Sequence, residues 1–265
     1  MDIIVCIKQV PDTTDVKIDP KTGTLIREGV PSIVNPDDKH AIEEALKLRE
    51  KHGGKVTAIS MGPPQAVVAL REVYAMGVDE AILVSDRMFA GSDTWATAYA
   101  IGQAVKKIAK YDIIFCGRQA IDGDTAQIGP QLAELLDIPQ VTYVTHVEPK
   151  GDKLLVHRAL EDGHMNLEVP KPALLTAIKE LNEPRYPSMG GIVKAHRDYQ
   201  VKVWTGADVA ASPNMTGIPG SPTKVKRTFA PEPKGKVEMI EGDSGAVKVG
   251  NLVTKLKDKN VVREG

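Results

Sequence analysis

The sequence is poor in the residues that mark several large protein classes. Only two of its 265 residues are cysteines, which excludes a disulfide-stapled scaffold and fits a reducing compartment. Aromatic residues make up 4% of the chain although 42% is hydrophobic, so the core must consist mostly of Val, Ile, Leu and Ala. No run approaches 18 consecutive apolar residues, and the first residues lack the basic leader and long apolar run of a signal peptide. We therefore expect a cytoplasmic protein with no membrane insertion.

An excess of charge of one sign is also absent. The chain has 34 Lys and Arg against 35 Asp and Glu, which argues against nucleic acid as an obligatory partner because phosphate binding needs a basic excess. The six histidines show neither HxH nor HExxH spacing, and neither cysteine belongs to a CxxC pair, so no metal site is expected. The near-zero net charge is an average over two unlike regions. Residues 222–265 carry ten basic and six acidic side chains, so the rest of the chain is acidic.

Strand-like and helix-like segments alternate over the first two thirds of the chain. Short β-branched runs lead into amphipathic stretches of helical length, which predicts βαβ crossovers. One helix is predicted to begin at Asn35-Pro36, where asparagine is a good cap and proline suits the first turn. Residues 11–34, before it, are predicted to be a loop or hairpin. The fold class is therefore α/β, with a doubly wound, mostly parallel sheet covered on both faces.

The pattern changes after Pro139. Residues 141–147, 154–160 and 173–178 are predicted to be strands with short polar links, which favours an antiparallel or mixed edge. From about 184 the chain is rich in Pro, Gly, Ser and Lys with little periodicity, until a short final helix. We predict a nucleotide-binding α/β domain over 1–183 and a long irregular arm over 184–265. The arm is either a flexible tail or a segment that packs on a partner subunit. The second is favoured, because apolar side chains in and just before it need cover; they are Leu181, Tyr186, Val203, Trp204, Leu252 and Leu256.

The most informative segment is GRQAIDGDTAQIGP, which begins at Gly117. It joins a predicted parallel strand to a helix at the carboxyl edge of the sheet, where open α/β folds bind ligands. The backbone amides of residues 124–127, at the start of the helix, suit phosphate oxygens. The alternative is a tight loop whose Asp and Thr side chains only cap the helix, and these residues fit both interpretations equally. Asn35 and the turn at 60–62 follow other strands and would line the same crevice.

Several segments, in their order along the chain, resemble the small (beta) subunit of electron transfer flavoproteins. They are VCIKQVPD from residue 5, NP from 35, AMGVD from 75, GRQAIDGD from 117 and LNEPRY from 181. The match runs from residue 1 to about 195, and the final helix also fits. The resemblance implies an adenine-nucleotide alpha-hydrolase-like sheet. It also implies a heterodimer with a larger alpha subunit that carries its own FAD.

By position, the resemblance implies a cofactor pocket in the crevice. In this family the crevice holds either AMP, in a structural role, or a second FAD. AMP-type members have a bulkier and more acidic DDDCNQ where this chain has DGDTAQ, so FAD is favoured. Arg118 is a candidate for stabilising reduced, anionic flavin, and no residue is assigned as a general acid or base. The expected cofactor-binding residues are Cys6, Asn35, Pro36, Asp38, Met61, Arg118, Asp122, Gly123, Asp124, Thr125, Ala126, Gln127, Ile128, Gly129, Pro130, Gln131, Leu132 and Ala133.

The resemblance also implies electron partners. The FAD of this subunit would accept hydride from NADH. It would then send one electron to the alpha-subunit FAD and an acyl-CoA dehydrogenase, and the other to ferredoxin or flavodoxin. Residues expected at the dehydrogenase contact are Asn182, Glu183, Pro184, Arg185, Tyr186, Met189 and Ile192. Met189 stands where the family typically has a leucine anchor. The alternatives are a non-bifurcating carrier with AMP and a universal-stress type nucleotide sensor, which needs neither docking loop nor arm.

Overall fold

A computed structural model describes residues 1–12, 31–226 and 237–262. The chain divides into two compact units, Met1–Arg227 and Thr228–Gly265. Within the described residues, no helix combines the length and the apolarity that a membrane crossing requires. Most of the predicted loop or hairpin at 11–34 lies outside the described residues, but its two ends pair as short antiparallel strands.

The first unit carries every strand of the described chain, and its elements have the following bounds. The strands are β1 (Asp2–Cys6), β2 (Gln9–Pro11), β3 (Ser32–Val34), β4 (Lys55–Met61), β5 (Glu80–Val84), β6 (Ile113–Gly117), β7 (Gln140–Lys150), β8 (Lys153–Ala159), β9 (His164–Pro170), β10 (Ala173–Ala177) and β11 (Lys202–Trp204). The helices are α1 (Pro36–His52), α2 (Val67–Met76), α3 (Thr94–Ile108), α4 (Ile128–Leu136) and α5 (Met189–Arg197). The second unit contains α6 (Gly245–Asp258), where the final helix is expected.

The large sheet has the strand order β11-β5-β4-β1-β6-β10-β7-β8-β9. The strands from β11 to β7 run parallel, and β8 and β9 extend this sheet as an antiparallel ribbon. From β1 the chain winds outward through β4 and β5, then returns to β6 on the other side of β1. The winding direction therefore reverses between β1 and β6, and open α/β sheets bind ligands outside the carboxyl ends of the strands at such a point.

Helices cover both faces of the sheet, as predicted. Alternate residues of β1 point to opposite faces, so Ile3 packs in the cluster that contains α1 and α2. Ile4 packs in the second cluster, which contains residues of α3 and α4. Phe115, one of the few aromatic residues, is completely buried in the first cluster. The α/β class with a mostly parallel sheet is confirmed.

The strands after Pro139 differ from the prediction in two respects. β10 is a central strand between β6 and β7, parallel to both, because its five residues are all buried and suit a position covered on both faces. β9 was missed, since six of its seven residues remain exposed or half-buried and it contains polar His, Asn and Glu. The antiparallel ribbon therefore consists of β7, β8 and β9.

Residues 184–226 are more regular than the sequence predicts. β11 adds a parallel strand beside β5, and α5 belongs to the first unit. The Tyr199 ring stacks on Tyr74 with a centroid distance of 3.6 Å, and the backbone N–H of Ala81 donates to the Tyr199 hydroxyl at 2.6 Å. Leu181 and Trp204 pack against the two core clusters. The unit boundary thus falls after Arg227 rather than after 183, because this segment finds its apolar cover within the same chain.

Replacement of Tyr199 by Phe keeps the stacked ring and tests the hydrogen bond between the Tyr199 hydroxyl and Ala81. Tyr199→Phe is expected to lower the free energy of unfolding by about 1–2 kcal/mol, because the part-buried N–H of Ala81 loses its acceptor. Urea unfolding measures the change. Tyr186→Phe is the matched control, since the Tyr186 side chain is 93% exposed. Equal losses in the two variants would contradict the assigned role of the Tyr199 hydroxyl.

Candidate functional site

A buried carboxylate, Asp38, joins the carboxyl ends of β1 and β6 at the reversal point. Its Oδ2 accepts a hydrogen bond from the backbone N–H of Lys8 at 2.7 Å. Its Oδ1 accepts from Gly117 N at 3.1 Å and from Asn35 Nδ2 at 3.0 Å. Burial raises the pKa of Asp38 to about 7, because these amide donors offset only part of the desolvation of its charge. Asp38 is therefore the polar centre on which both strand ends converge.

Asn35 links the loop after β6 to Asp38 in the first turn of α1. Its side chain makes no capping hydrogen bond, which corrects the capping interpretation. Its Nδ2 donates to the carbonyl oxygen of Gln119 at 2.8 Å, and its Oδ1 accepts from the N–H of Ile121 at 3.1 Å. The first turn of α1 lies against this loop, so the completely buried amide finds its partners there.

Two further polar contacts close the loop over the crevice. Lys8 Nζ lies 2.7 Å from Asp122 Oδ1, and the Asp122 side chain is only 7% exposed. Gln119 Nε2 donates to Asp124 Oδ1 at 2.8 Å. The sequence reasoning did not include Lys8, although a lysine just after the first parallel strand was a usable signal. Across residues 1–12, 31–226 and 237–262, no group of three or more His, Cys, Asp or Glu side chains is arranged to hold a metal ion.

The loop before α4 has the backbone geometry of an anion-binding nest. Asp124 and Ala126 have positive φ angles of 49° and 52°, whereas Gln127 is right-handed helical. Within the described chain, the backbone N–H groups of Thr125, Ala126 and Gln127 have no hydrogen-bond acceptor. Neighbouring residues of opposite backbone hand direct successive N–H groups to one point, where they attract a negative group. These amides, with the start of α4, can bind phosphate oxygens.

Helix α4 is seated closely on the sheet, which sets the position of the nest. A Cβ on Gly129 would lie 2.7 Å from Cγ2 of Thr176 on β10, closer than real Cβ atoms come. Leu132 and Ala133 are buried in the core between α4 and the sheet. Gln127 accepts a hydrogen bond from the Thr94 hydroxyl at 3.0 Å, which adds α3 to the site. Ile128, Pro130 and Gln131 are half-buried in the first turn of α4.

Arg118 follows β6 at the edge of the crevice. Its Nε lies 3.4 Å from Asp37 Oδ2, and its guanidinium lies 5.9 Å from the centre of the Tyr143 ring. Burial raises the pKa of the Asp37 carboxyl, and Arg118 partly opposes this effect. Tyr143 has a positive φ of 57° and donates its N–H to the Thr176 hydroxyl at 3.1 Å. The Asp37 carboxylate and the Tyr143 ring thus orient the Arg118 guanidinium. Its contact with a flavin stays a prediction.

The remaining predicted pocket residues lie at the same edge of the sheet. Cys6 is the register partner of Cys116 on β6, and both thiols are buried. A hydrogen bond with Cys6 and burial raise the pKa of Cys116, which keeps this thiol neutral. Met61 ends β4 half-buried, and Pro36 opens α1. The structure brings these residues together with the loop, and their contact with a cofactor stays a prediction.

The segment from Asn182 to Arg185 is bound to α1 of the same chain. Asn182 Nδ2 donates to the carbonyl oxygen of His40 at 3.0 Å and to Glu44 Oε2 at 3.1 Å. Arg185 binds Glu43 with two nitrogens, Nε to Oε2 at 2.7 Å and Nη2 to Oε1 at 3.1 Å. These side chains, predicted to meet a partner, therefore hold the segment in place.

The apolar residues of the same region face solvent. Tyr186 is 93% exposed, Met189 is 78% exposed and Ile192 is 39% exposed. Glu183 is exposed and Pro184 is half-buried. Large apolar side chains that lie close together on a surface mark interaction sites, so this region has the character of a docking surface. Its use by a dehydrogenase stays a prediction.

An open parallel sheet with free amides at its reversal point is the architecture of nucleotide-binding α/β proteins. Comparison with known proteins narrows this class. A profile described as "Electron transfer flavoprotein domain" matches residues 22–208. The electron transfer flavoprotein subunit beta of Thermoanaerobacterium thermosaccharolyticum is 61% identical over 99% of this chain and 100% of its own length. The chain therefore belongs to the beta subunit family of electron transfer flavoproteins.

Two other relatives are nearly as similar. The caffeyl-CoA reductase-Etf complex subunit CarD of Acetobacterium woodii is 52% identical, again over 99% of this chain and 100% of its own length. The electron transfer flavoprotein subunit beta of Clostridium acetobutylicum is 56% identical with the same two coverages. The resemblance carried by the GRQAIDGD and LNEPRY segments is confirmed at the level of the family.

Proposed function

We propose that this chain is the small subunit of a heterodimeric electron transfer flavoprotein and binds FAD in the crevice between β1 and β6. The observation that carries the proposal is the nest of free amides at Thr125, Ala126 and Gln127, placed at the reversal point of the sheet. The pyrophosphate of FAD would offer such donors four non-bridging oxygens that share two negative charges, and backbone amides can bind them without a basic side chain. The FAD would supply the redox chemistry, and the chain would hold and orient it.

Space beside the nest favours FAD over AMP. Gly123 is exposed, and a Cβ added to it would meet no atom of the described chain within 4 Å, so the loop leaves room beside the nest. Arg118 lies on the same edge, fixed by Asp37, and would stabilise negative charge on a reduced flavin ring. NADH is the proposed hydride donor. The two electrons would go to the alpha-subunit FAD and to ferredoxin or flavodoxin.

The proposed partners of the exposed surface are an alpha subunit and an acyl-CoA dehydrogenase. The relative CarD is named as a subunit of a caffeyl-CoA reductase-Etf complex, which supports an acyl-CoA-linked partner for this chain. Met189 and Tyr186 are the most exposed large apolar side chains of the segment between β10 and β11. An unbranched methionine adapts its shape to a partner, which suits an anchor at a docking surface.

Cofactor content of the purified heterodimer tests the proposal. The chain would be produced together with its alpha subunit, and the nucleotides released by denaturation would be separated and counted. Two FAD per heterodimer is the expected result, and NADH should bleach the flavin under anaerobic conditions without a dehydrogenase. One FAD plus one AMP would contradict the FAD assignment and the electron division that depends on it.

Substitution of Ala126 tests whether the nest is the binding site. A β-branched residue is strongly disfavoured at the positive φ of Ala126, so Ala126→Val should reshape the loop and weaken FAD binding about tenfold. Ala126→Gly is the matched control, because glycine adopts this conformation without strain. FAD titration of the cofactor-depleted complex measures both. Equal affinities in the two variants would place the cofactor elsewhere.

A further inference from the structure

We infer that Asp38 is a positioning residue that holds the cofactor loop in its binding shape only while its carboxylate is ionised. The inference rests on the proposed nucleotide site and goes beyond it by making cofactor binding proton-linked near neutral pH. Asp38 itself is buried behind the loop, with three hydrogen bonds to protein donors. It therefore acts on a cofactor through Lys8 and Gly117 rather than by contact.

The hydrogen bonds of Asp38 require two accepting oxygens. Oδ1 accepts from Asn35 and Gly117, and Oδ2 accepts from the backbone N–H of Lys8. A proton on Oδ2 would turn that oxygen into a hydroxyl, which is a poorer acceptor than a carboxylate oxygen for the Lys8 N–H at 2.7 Å and adds a buried O–H that needs an acceptor of its own. A proton on Oδ1 would weaken the bonds from Asn35 and Gly117 in the same way. Protonation therefore weakens at least one link between the two strand ends.

Loss of the Lys8 link reaches the loop directly. The Lys8 ammonium binds Asp122, which lies in the loop between β6 and α4. The Asn35 amide, which also binds Asp38, holds the same loop through Gln119 and Ile121. Gly117, whose N–H binds Asp38, directly precedes this loop in the chain. A shift of the Lys8 backbone therefore releases the loop on its Asp122 side.

No cation contacts Asp38 in the described chain, so its charge is stabilised by dipoles alone. The nearby cations are engaged elsewhere, since Lys8 binds Asp122 and Arg118 pairs with Asp37. Burial raises the pKa of Asp38 to about 7. The titratable groups around it are Asp37 and His40 on α1, Cys6 and Lys8 at the end of β1, Cys116 and Arg118 at the end of β6, and Asp122 on the loop.

Stability and cofactor binding should respond to pH in opposite directions. The folded pKa of Asp38 lies above its ordinary value of 3.8, so its contribution to stability is present at low pH and is lost as the pH rises through 7. Cofactor binding needs the ionised form and should weaken as the pH falls below 7. A purely structural role of Asp38 would not produce these opposite slopes.

FAD titration of the full chain in complex with its alpha subunit tests the inference between pH 5.5 and 8.5. Wild-type affinity should fall about tenfold from pH 8 to pH 6, the effect of one lost hydrogen bond. Asp38→Asn presents an N–H₂ donor at every pH, so its affinity should be low and independent of pH. Glu44→Gln, the matched control on the same helix, should keep the wild-type slope, because burial also raises the pKa of Glu44 but its side chain bonds Asn182 and not the cofactor loop. The inference would be overturned if the FAD affinity of Asp38→Asn still changed with pH as in wild type. It would also be overturned if the wild-type affinity did not change with pH.

Hydrogen exchange separates this inference from the proposed function. The amides of Gly117 and Ile121 would be followed in the cofactor-free full chain, with exchange rates normalised for their intrinsic pH dependence. Protection that falls below pH 7 in wild type supports the role of Asp38 even if no FAD binds. Protection that is independent of pH in wild type overturns it, whether or not the Asp38→Asn variant folds.

Discussion

Gly117→Ala is expected to lower the free energy of unfolding by about 3 kcal/mol and to abolish retention of the cofactor. An added Cβ would overlap Asp38 Oδ1 and would lie 2.8 Å from backbone atoms of both Asp37 and Asp38. Backbone cannot yield as a side chain does, so the first turn of α1 would have to move. The overlap costs about 1–3 kcal/mol, and the hydrogen bond to Asp38 adds about 1 kcal/mol.

Guanidinium unfolding and the FAD content of the purified complex measure the two effects of Gly117→Ala. Gly163→Ala is the matched control, since a Cβ on Gly163 meets no atom of the described residues within 4 Å and Gly163 lies in the turn between β8 and β9. If both variants unfold at the same denaturant concentration, the contact between β6 and α1 does not constrain the site as described.

Arg185→Met should destabilise the chain by about 3 kcal/mol. Glu43, its partner on α1, has a side chain that is only 5% exposed, and loss of the guanidinium leaves that charge buried and unpaired. Arg185 also binds Glu50, and this contact holds the pKa of Glu50 below its usual value. The segment that carries Tyr186 should then detach from α1.

Urea unfolding and the binding of an acyl-CoA dehydrogenase measure the consequences of Arg185→Met. The additional change Glu43→Gln should restore part of the stability, because it removes the unpaired charge. Arg197→Met is the control, since among the described residues Arg197 forms an ion pair only with its exposed neighbour Asp198. Equal losses in Arg185→Met and Arg197→Met would show that the link to α1 does not support the surface.

The elements that were predicted well are those whose signal lies in consecutive residues. The helix opened by Asn35-Pro36 was predicted from a proline in the first turn and an apolar stripe, and α1 spans Pro36–His52. The βαβ alternation gave the parallel sheet because a buried strand and a covering helix each have a characteristic periodicity. The GRQAIDGD segment indicated the position of the loop because its place between strand and helix is a property of order along the chain.

The segment after 184 shows where local pattern was insufficient. β11 has three residues and α5 has nine, too short for periodicity to be read against a background of Pro, Gly and Lys. These two short elements form because their segment packs against the rest of the unit, as the stacking of Tyr199 on Tyr74 illustrates. The local sequence likewise predicts only a cap at Asn35. Its partners Gln119 and Ile121 lie more than 80 residues away in the chain, so no local pattern indicates them.

The sequence by itself determined the α/β class, the position of the loop between β6 and α4 and the family, because each depends on residues that are neighbours in the chain. Only the tertiary structure decided what the polar residues do. Asp38 draws its donors from Lys8 and from Gly117, which are 30 and 79 residues away. Arg185 meets Glu43 of its own chain across 142 residues. A buried polar group must form hydrogen bonds with the groups that the fold places beside it. Periodicity along the chain does not indicate which groups these are.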